Sequence, residues 1–300
     1  MQAAVQKENP DQVEALRVFP GTAESKILLP LDYPPSANYQ PRWGYSKPAH
    51  KALAAKMEEG LVGYIKLLTE VVGFRDKFSE IPAIFDHVHP ELAGWTSGSL
   101  SPLDAALLYY FLVKNAASRY VEIGSGVSTA FAYRAKRDNN LPTRILSIDP
   151  EPRARVEEVC DRRFISSLEE ADLELFDHLW PGDVVFFDGG HRCFMNSDVT
   201  VFFLDVLPRL RPGVLVGIHA IYWPDDYPPN FAHAYWSEQY ILAAFLLGAG
   251  DKVRIEMPSA IIHKHPALAN IMRNGMKGIV PDANLFVYGG TLWFTMAPSV

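Results

Sequence analysis

The sequence is short of cysteine, of long apolar runs and of positive charge, and each shortage closes off a class of protein. Two cysteines in 300 residues, Cys160 and Cys193, cannot build a disulfide scaffold or a four-thiolate zinc site, so a reducing, cytoplasmic setting is expected. No stretch approaches the roughly 18 uninterrupted apolar residues that a membrane helix needs, so no membrane partner is expected. Met1 to Gln12 is polar and carries Lys7, Glu8 and Asp11, unlike a secretory signal. A formal net charge of −7 withholds the basic footprint of a nucleic-acid binder. Internal repeats and low-complexity tracts are missing too. The chain is 48% hydrophobic, which is ordinary for a globular fold, and its length suits one large domain plus an accessory segment.

The first hundred residues read differently from the rest. Six prolines between Pro20 and Pro48, without sustained periodicity, predict an extended wrapping segment. Leu53, Met57, Leu61, Tyr64, Ile65 and Leu68 recur at helical spacing and predict a helix over 49–72, followed by a shorter one over 74–85. Residues 1–100 are therefore expected to form an extended and helical cap. Its Asn38–Tyr45 stretch suits a cover over a ligand pocket and a homodimer arm equally well.

From Ser101-Pro102, an N-cap oxygen followed by proline in the first turn, the chain alternates. Strands are predicted over 119–123, 144–148, 163–166, 183–187, 214–218, 252–257 and 291–296. Helices are predicted over 103–114, 129–137, 153–160, 169–179, 198–209 and 237–247. This pattern predicts an α/β fold over residues 101–300, a doubly wound, Rossmann-like and mostly parallel seven-stranded sheet. Ligands in such sheets bind outside the carboxyl ends of the strands.

The first strand runs into Glu122-Ile123-Gly124-Ser125-Gly126-Val127-Ser128-Thr129. A glycine turn between a strand and a helix offers backbone N–H groups to a ligand. Thr129 stands where the dinucleotide fingerprint has its third glycine. A carboxylate two residues before the turn would repel a pyrophosphate but attract an ammonium group, so a nucleoside bearing an amino acid fits better than NAD or ATP. Asp149 ends the next strand, where an acid accepts from both ribose hydroxyls.

These runs, VEIGSGVST and SIDPEP, resemble the first two motifs of the class I S-adenosylmethionine-dependent methyltransferases, whose seven-stranded sheet has an antiparallel last strand. Phe187-Asp188-Gly189-Gly190-His191-Arg192, Asn196-Ser197-Asp198 and Leu207–Gly213 are similar to a bacterial subgroup of small-molecule type. The likeness spans about residues 101–297. It implies an S-adenosylmethionine site formed by Glu122, Gly124, Ser125, Gly126, Ser128, Thr129, Asp149, Pro150, Leu168 and Asp188.

Strands four and five end in Asp188 and His219, with His191 between them in sequence. Histidine titrates near neutrality, so His191 is a candidate general base, with Asp188 and His219 as further catalytic candidates. The same three residues form a two-histidine, one-carboxylate set that suits a divalent metal. The subgroup carries His-x-His-Asp at the end of strand five, whereas this chain has Gly217-Ile218-His219-Ala220. The other seven histidines read as surface or structural residues.

Aromatic residues make up 12% of the chain, and seven of them fall between Tyr222 and Tyr240, after strand five. Aromatic walls with a few polar groups suit a small organic ligand. Tyr222, Trp223, Asp225, Asp226 and Glu238 are the substrate candidates. The expected activity is methyl transfer to O or N of a small molecule. The alternatives are a metal-assisted enzyme using Asp188, His191 and His219, and a non-catalytic S-adenosylmethionine-binding module.

Overall fold

A computed structural model describes residues 40–152 and 155–297. The expected wrapping segment before Gln40 lies outside the described residues. Pro41 to Val300 falls in a single compact unit.

The helix expected over 49–72 divides into α1 (Lys51–Glu58) and α2 (Leu61–Val72). Gly60 separates them, and the Tyr64 ring packs where its Cβ would stand. The next helix, α3 (Arg75–Ser79), is shorter than expected, because Pro82 follows closely and cannot continue a helix. α4 (Pro102–Asn115) starts as its sequence predicts: the Ser101 hydroxyl accepts from Asp104 N at 3.0 Å. Nearly all of α4 is buried, so it runs through the core instead of along the surface.

Then the alternation begins. β1 (Arg119–Ile123), α5 (Val127–Asp138), β2 (Arg144–Ile148) and β3 (Arg162–Phe164) come first. Instead of a helix, the described part of 153–160 holds a single 3₁₀ turn at Val156–Glu158. The helix expected over 169–179 is likewise reduced to a 3₁₀ turn and the short α6 (Glu174–Asp177). β4 (Val184–Phe187), α7 (Asp198–Val201), β5 (Leu215–Ile218) and α8 (Glu238–Ala249) follow. After α7 the chain stays helical to Arg209 through a wide π turn and a 3₁₀ turn. β6 (Val253–Pro258) and β7 (Leu292–Met296) are separated by a further helix, α9 (Pro266–Gly275), in addition to those the sequence pattern predicts.

The seven strands form one sheet in the order β3-β2-β1-β4-β5-β7-β6. β1 to β5 are parallel, and β7 runs antiparallel to both of its neighbours. This is the expected architecture. The connections reverse direction beside β1, and sheets of this kind bind ligands there, outside the carboxyl ends of the strands. β4 and β5 are apolar and buried along their whole length, as strands covered on both faces must be.

The segment from Arg42 to His50 packs on the loop after β5. Trp43 and His50 meet the Trp223 ring at 5.4 and 5.8 Å between centroids. Asp226 N donates to Trp43 O at 3.1 Å, and Arg42 N donates to the Asp226 carboxylate at 2.9 Å. His50 also caps α1, its Nδ1 accepting from Leu53 N at 3.3 Å.

Candidate active site

Register brings four strand ends together. Gly124 N donates to Ile148 O, Asp188 N to Ile123 O and His219 N to Phe187 O, each at 2.9–3.0 Å. The residues just past β1, β2, β4 and β5 therefore share one rim of the sheet. Gly124 (φ +83°) lies so close to β4 that a Cβ there would overlap the Asp188 carbonyl oxygen. The glycine turn and the Asp188 loop are thus in direct contact.

Around the turn, some residues are open to solvent and others support it from beneath. Gly126 opens on space, with nothing within 4 Å of where its Cβ would stand. Half-buried Asp149 accepts from Ser125 Oγ at 2.6 Å and from Glu151 N at 2.8 Å, one bond on each oxygen. Each of its oxygens keeps a lone pair for a ribose hydroxyl. Pro150 beside it is exposed.

Glu122, Ser128 and Thr129 form the underside of the turn. Thr129 Oγ1 accepts from Gly126 N at 2.9 Å and donates to the Glu122 carboxylate, which also accepts from Tyr120 OH at 2.9 Å. Glu122 is fully buried, and burial pushes its carboxyl up to about 8 against the hydrogen bonds from Ser128, Thr129 and Tyr120. Burial thus favours its protonated form, and its hydrogen bonds tie it to the underside of the turn. Leu168 is buried in the core as well.

Asp188, His191 and His219 come together as expected, with a ligand atom from each within 4.8 Å of the others. His219 Nδ1 lies 2.9 Å from Asp188 Oδ1, and His191 Nε2 lies 3.5 Å from the same oxygen. Burial works against protonating His219, but Asp188, by charge and hydrogen bond, then Asp104 and Glu238, raise it to about 9. His191 is also raised, because Glu238 and Asp188 outweigh its burial. The donor set of two imidazoles and one carboxylate fits a divalent cation.

Gly190 N donates to Asp198, and a Cβ on Gly189 would overlap the same carboxylate. Those two glycines therefore make room for Asp198, which ties the loop to α7. Gly217 has a comparable explanation. Its Cβ would sit 2.6 Å from the Trp293 indole of β7, so this position packs the sheet and no side chain there could reach the site. Ala220 is buried in a left-handed conformation, φ +57°, strained for any residue with a Cβ.

The substrate candidates separate. Tyr222 is half-buried, its phenol pushed up to about 12 by burial and by the carboxylates of Asp104, Glu238 and Asp188. Its ring lies 6.1 Å from Phe231, which stacks on Trp236 at 4.6 Å, and Trp236 packs on His191 at 4.4 Å. These contacts form a continuous aromatic run from Tyr222 to His191.

Trp223, Asp225 and Asp226 are corrected to structural roles. Trp223 is buried, its Nε1 donating to Gln239 O at 2.6 Å. Asp225 pairs with Lys264, and buried Asp226 accepts from Arg42 N, Tyr227 N and Tyr240 OH. These acids join segments of the fold because their loop is the one on which Arg42–His50 rests. Glu238 is also moved: it is fully buried and bonded to His191.

Two further groups, Asp104 and Gln239, support the site from a distance in sequence. Asp104 accepts from Ser101 Oγ, Ser259 Oγ and Gly290 N, joining α4 to the ends of β6 and β7. Gln239 accepts from Tyr222 N at 3.0 Å and fixes the start of the aromatic loop. An acid in the first turn of a strongly apolar helix was the available signal for Asp104. For Gln239 there was none.

Residues 121–221 match the family model described as a methyltransferase domain. That match takes in about a third of the chain, from β1 to the residues just past β5. No curated protein matches the chain.

Among solved structures, the chain is similar to the O-methyltransferase TomG from Streptomyces achromogenes, involved in tomaymycin synthesis and solved with SAM. The identity is 20% and the TM-score 0.40, with 66% of this chain and 82% of that chain covered. It is also similar to an O-methyltransferase from Bacillus cereus solved with SAH, at 15% identity and TM-score 0.43, covering 81% and 97%. A third is the MycE methyltransferase of mycinamycin biosynthesis in complex with Mg and SAH. It is 18% identical with TM-score 0.33, covering 60% and 45%.

Proposed function

We propose that this protein is an S-adenosylmethionine-dependent methyltransferase acting on an oxygen or nitrogen of a small molecule. The observation that carries the reading is the contact between the glycine turn and the Asp188 loop, which sets a cofactor cradle beside a histidine–carboxylate cluster. When bound, S-adenosylmethionine supplies an electrophilic methyl group on a positively charged sulfur.

The chain's own residues do the rest. Gly124, Ser125 and Gly126 leave room and backbone for the amino-acid portion, and Asp149 binds the ribose. Tyr222, Phe231 and Trp236 exclude water and orient the acceptor. His191, through Nε2, takes the proton that the acceptor O–H or N–H releases. Much of the acceleration comes from alignment of the reacting groups, with proton removal adding to it. Cys160 and Cys193 are free thiols, which supports a reducing, cytoplasmic setting. No helix among the described residues is long and apolar enough to cross a membrane.

Calorimetry tests the cofactor assignment. Asp149→Ala removes two charged hydrogen bonds to ribose and is expected to weaken S-adenosylmethionine binding about 10–100-fold. Unchanged affinity would count against the reading.

The compact Asp188–His191–His219 set favours a second reading, in which a divalent metal held there orients and acidifies the acceptor. Protein purified without chelators is then expected to carry metal in stoichiometric amount, and His219→Ala to lose it. Metal-free protein that still transfers methyl groups would exclude this version.

A further inference from the structure

Glu238 is the residue whose structural setting least resembles its sequence reading. His191 sits at φ +60°, a left-handed backbone that a residue with a side chain holds only where its surroundings impose it. Those surroundings are the start of α8. Ser237 N and Glu238 N donate to the His191 carbonyl at 2.8 and 3.3 Å. Cys193 N donates to Ser237 Oγ, and Arg192 Nε donates to Ala234 O, both at 2.8 Å.

The same element brings up the side chain. Glu238 Oε1 bonds to His191 Nδ1, while Trp236 covers the imidazole face. The other carboxylate oxygen, Oε2, is buried with no hydrogen-bond partner. A fully buried carboxylate with one oxygen unpaired is a poor structural element, since a neutral residue of similar size would avoid the desolvation. Its retention beside a strained histidine calls for another explanation.

We infer that Glu238 is a positioning residue for His191: by accepting the Nδ1 proton it fixes the ring's tautomer and orientation, so that Nε2 is the nitrogen turned toward Asp188 and the acceptor. The inference rests on the reading of His191 as the proton acceptor. A carboxylate behind a working imidazole acts in this way because the hydrogen bond made by one ring nitrogen decides what the other can do. His219 is held in the complementary sense, with its Nδ1 bonded to Asp188. The two carboxylates thus orient the two rings separately, Glu238 from within the core and Asp188 from the strand end.

The test compares the full-length protein with Glu238→Gln and Glu238→Met, all labelled with ¹⁵N at histidine. The wild type is expected to show a low-field proton bonded to Nδ1 of His191, assigned by its loss in His191→Asn. That proton is expected to shift upfield in Glu238→Gln and to vanish in Glu238→Met. Glu238→Gln is expected to keep Tm close to that of the wild type, Glu238→Met to lower it by leaving the Nδ1 donor unpaired, and both to leave the S-adenosylmethionine affinity unchanged in calorimetry.

A wild type without the proton, or a Glu238→Met variant that keeps it, would overturn the inference. So would a Tm loss of several degrees in both variants with the Gln signal unshifted, the signature of a purely structural support. A wild type that does not bind S-adenosylmethionine would overturn the methyl-transfer reading, and the Nδ1 proton would still decide the role of Glu238.

Discussion

Gly124→Ala is expected to lower stability by at least about 3 kcal/mol and to abolish measurable cofactor binding. Two effects combine. The residue holds φ +83°, and a left-handed conformation costs any residue with a Cβ roughly 1–2 kcal/mol. The new methyl group would also overlap the Asp188 carbonyl oxygen, a backbone atom that cannot rotate away. Relief requires the end of β4 to move off β1, which breaks the bond from Asp188 N to Ile123 O and displaces the carboxylate beside both histidines.

Gly98→Ala is the matched control. Gly98 has nearly the same backbone, φ +81°, but nothing lies within 4 Å of its Cβ position. It is expected to lose only the strain, about 1 kcal/mol. Urea denaturation and calorimetry on both variants separate backbone strain from the collision. Equal losses would show that the contact between β1 and β4 contributes nothing.

The second large effect is pH-dependent and belongs to Glu122. Its carboxyl is raised from 4.5 to about 8, first by burial. The folded state therefore holds a proton that the unfolded chain has already released throughout that interval. Stability contributed by this group is full below about pH 4.5, falls as pH rises toward 8, and is flat above it. At about 1.4 kcal/mol per unit, the whole interval amounts to roughly 5 kcal/mol.

Glu122→Gln removes the titration while keeping an acceptor oxygen for one of the two donors, Thr129 or Tyr120. Stability of the variant relative to wild type is expected to rise steadily between pH 5 and 8, as read from denaturation midpoints. A difference independent of pH would mean that Glu122 is ionised in the folded protein. It would also restore the electrostatic role toward an ammonium group that the sequence suggested.

The contrast at Glu122 shows why some of the site was legible and some was not. A strand ending in a glycine turn announces itself, because Gly124 is needed for a backbone that other residues resist. The same residues say nothing about direction: Glu122 lies on the strand itself, where alternate side chains face opposite sides of the sheet. Asp188, His191 and His219 could be grouped from sequence because parallel strands of similar length end on one rim. The acids of the aromatic loop could not be sorted. Whether Asp225 and Asp226 face a ligand or the protein depends on Arg42 and Lys264, which are 184 and 39 residues away in sequence.

By itself, the sequence determined the class of fold, its strand pattern and the rim where chemistry would gather. These follow from local periodicity, from turns that demand glycine and from the geometry of parallel strands. Only the tertiary structure decided which polar groups are tools and which are supports. It turned Glu122 inward, used Asp226 to hold a distant segment, explained Gly217 by the Trp293 indole and set Glu238 behind His191. A side chain's role depends on what surrounds it, and those neighbours are brought together by packing across the whole chain.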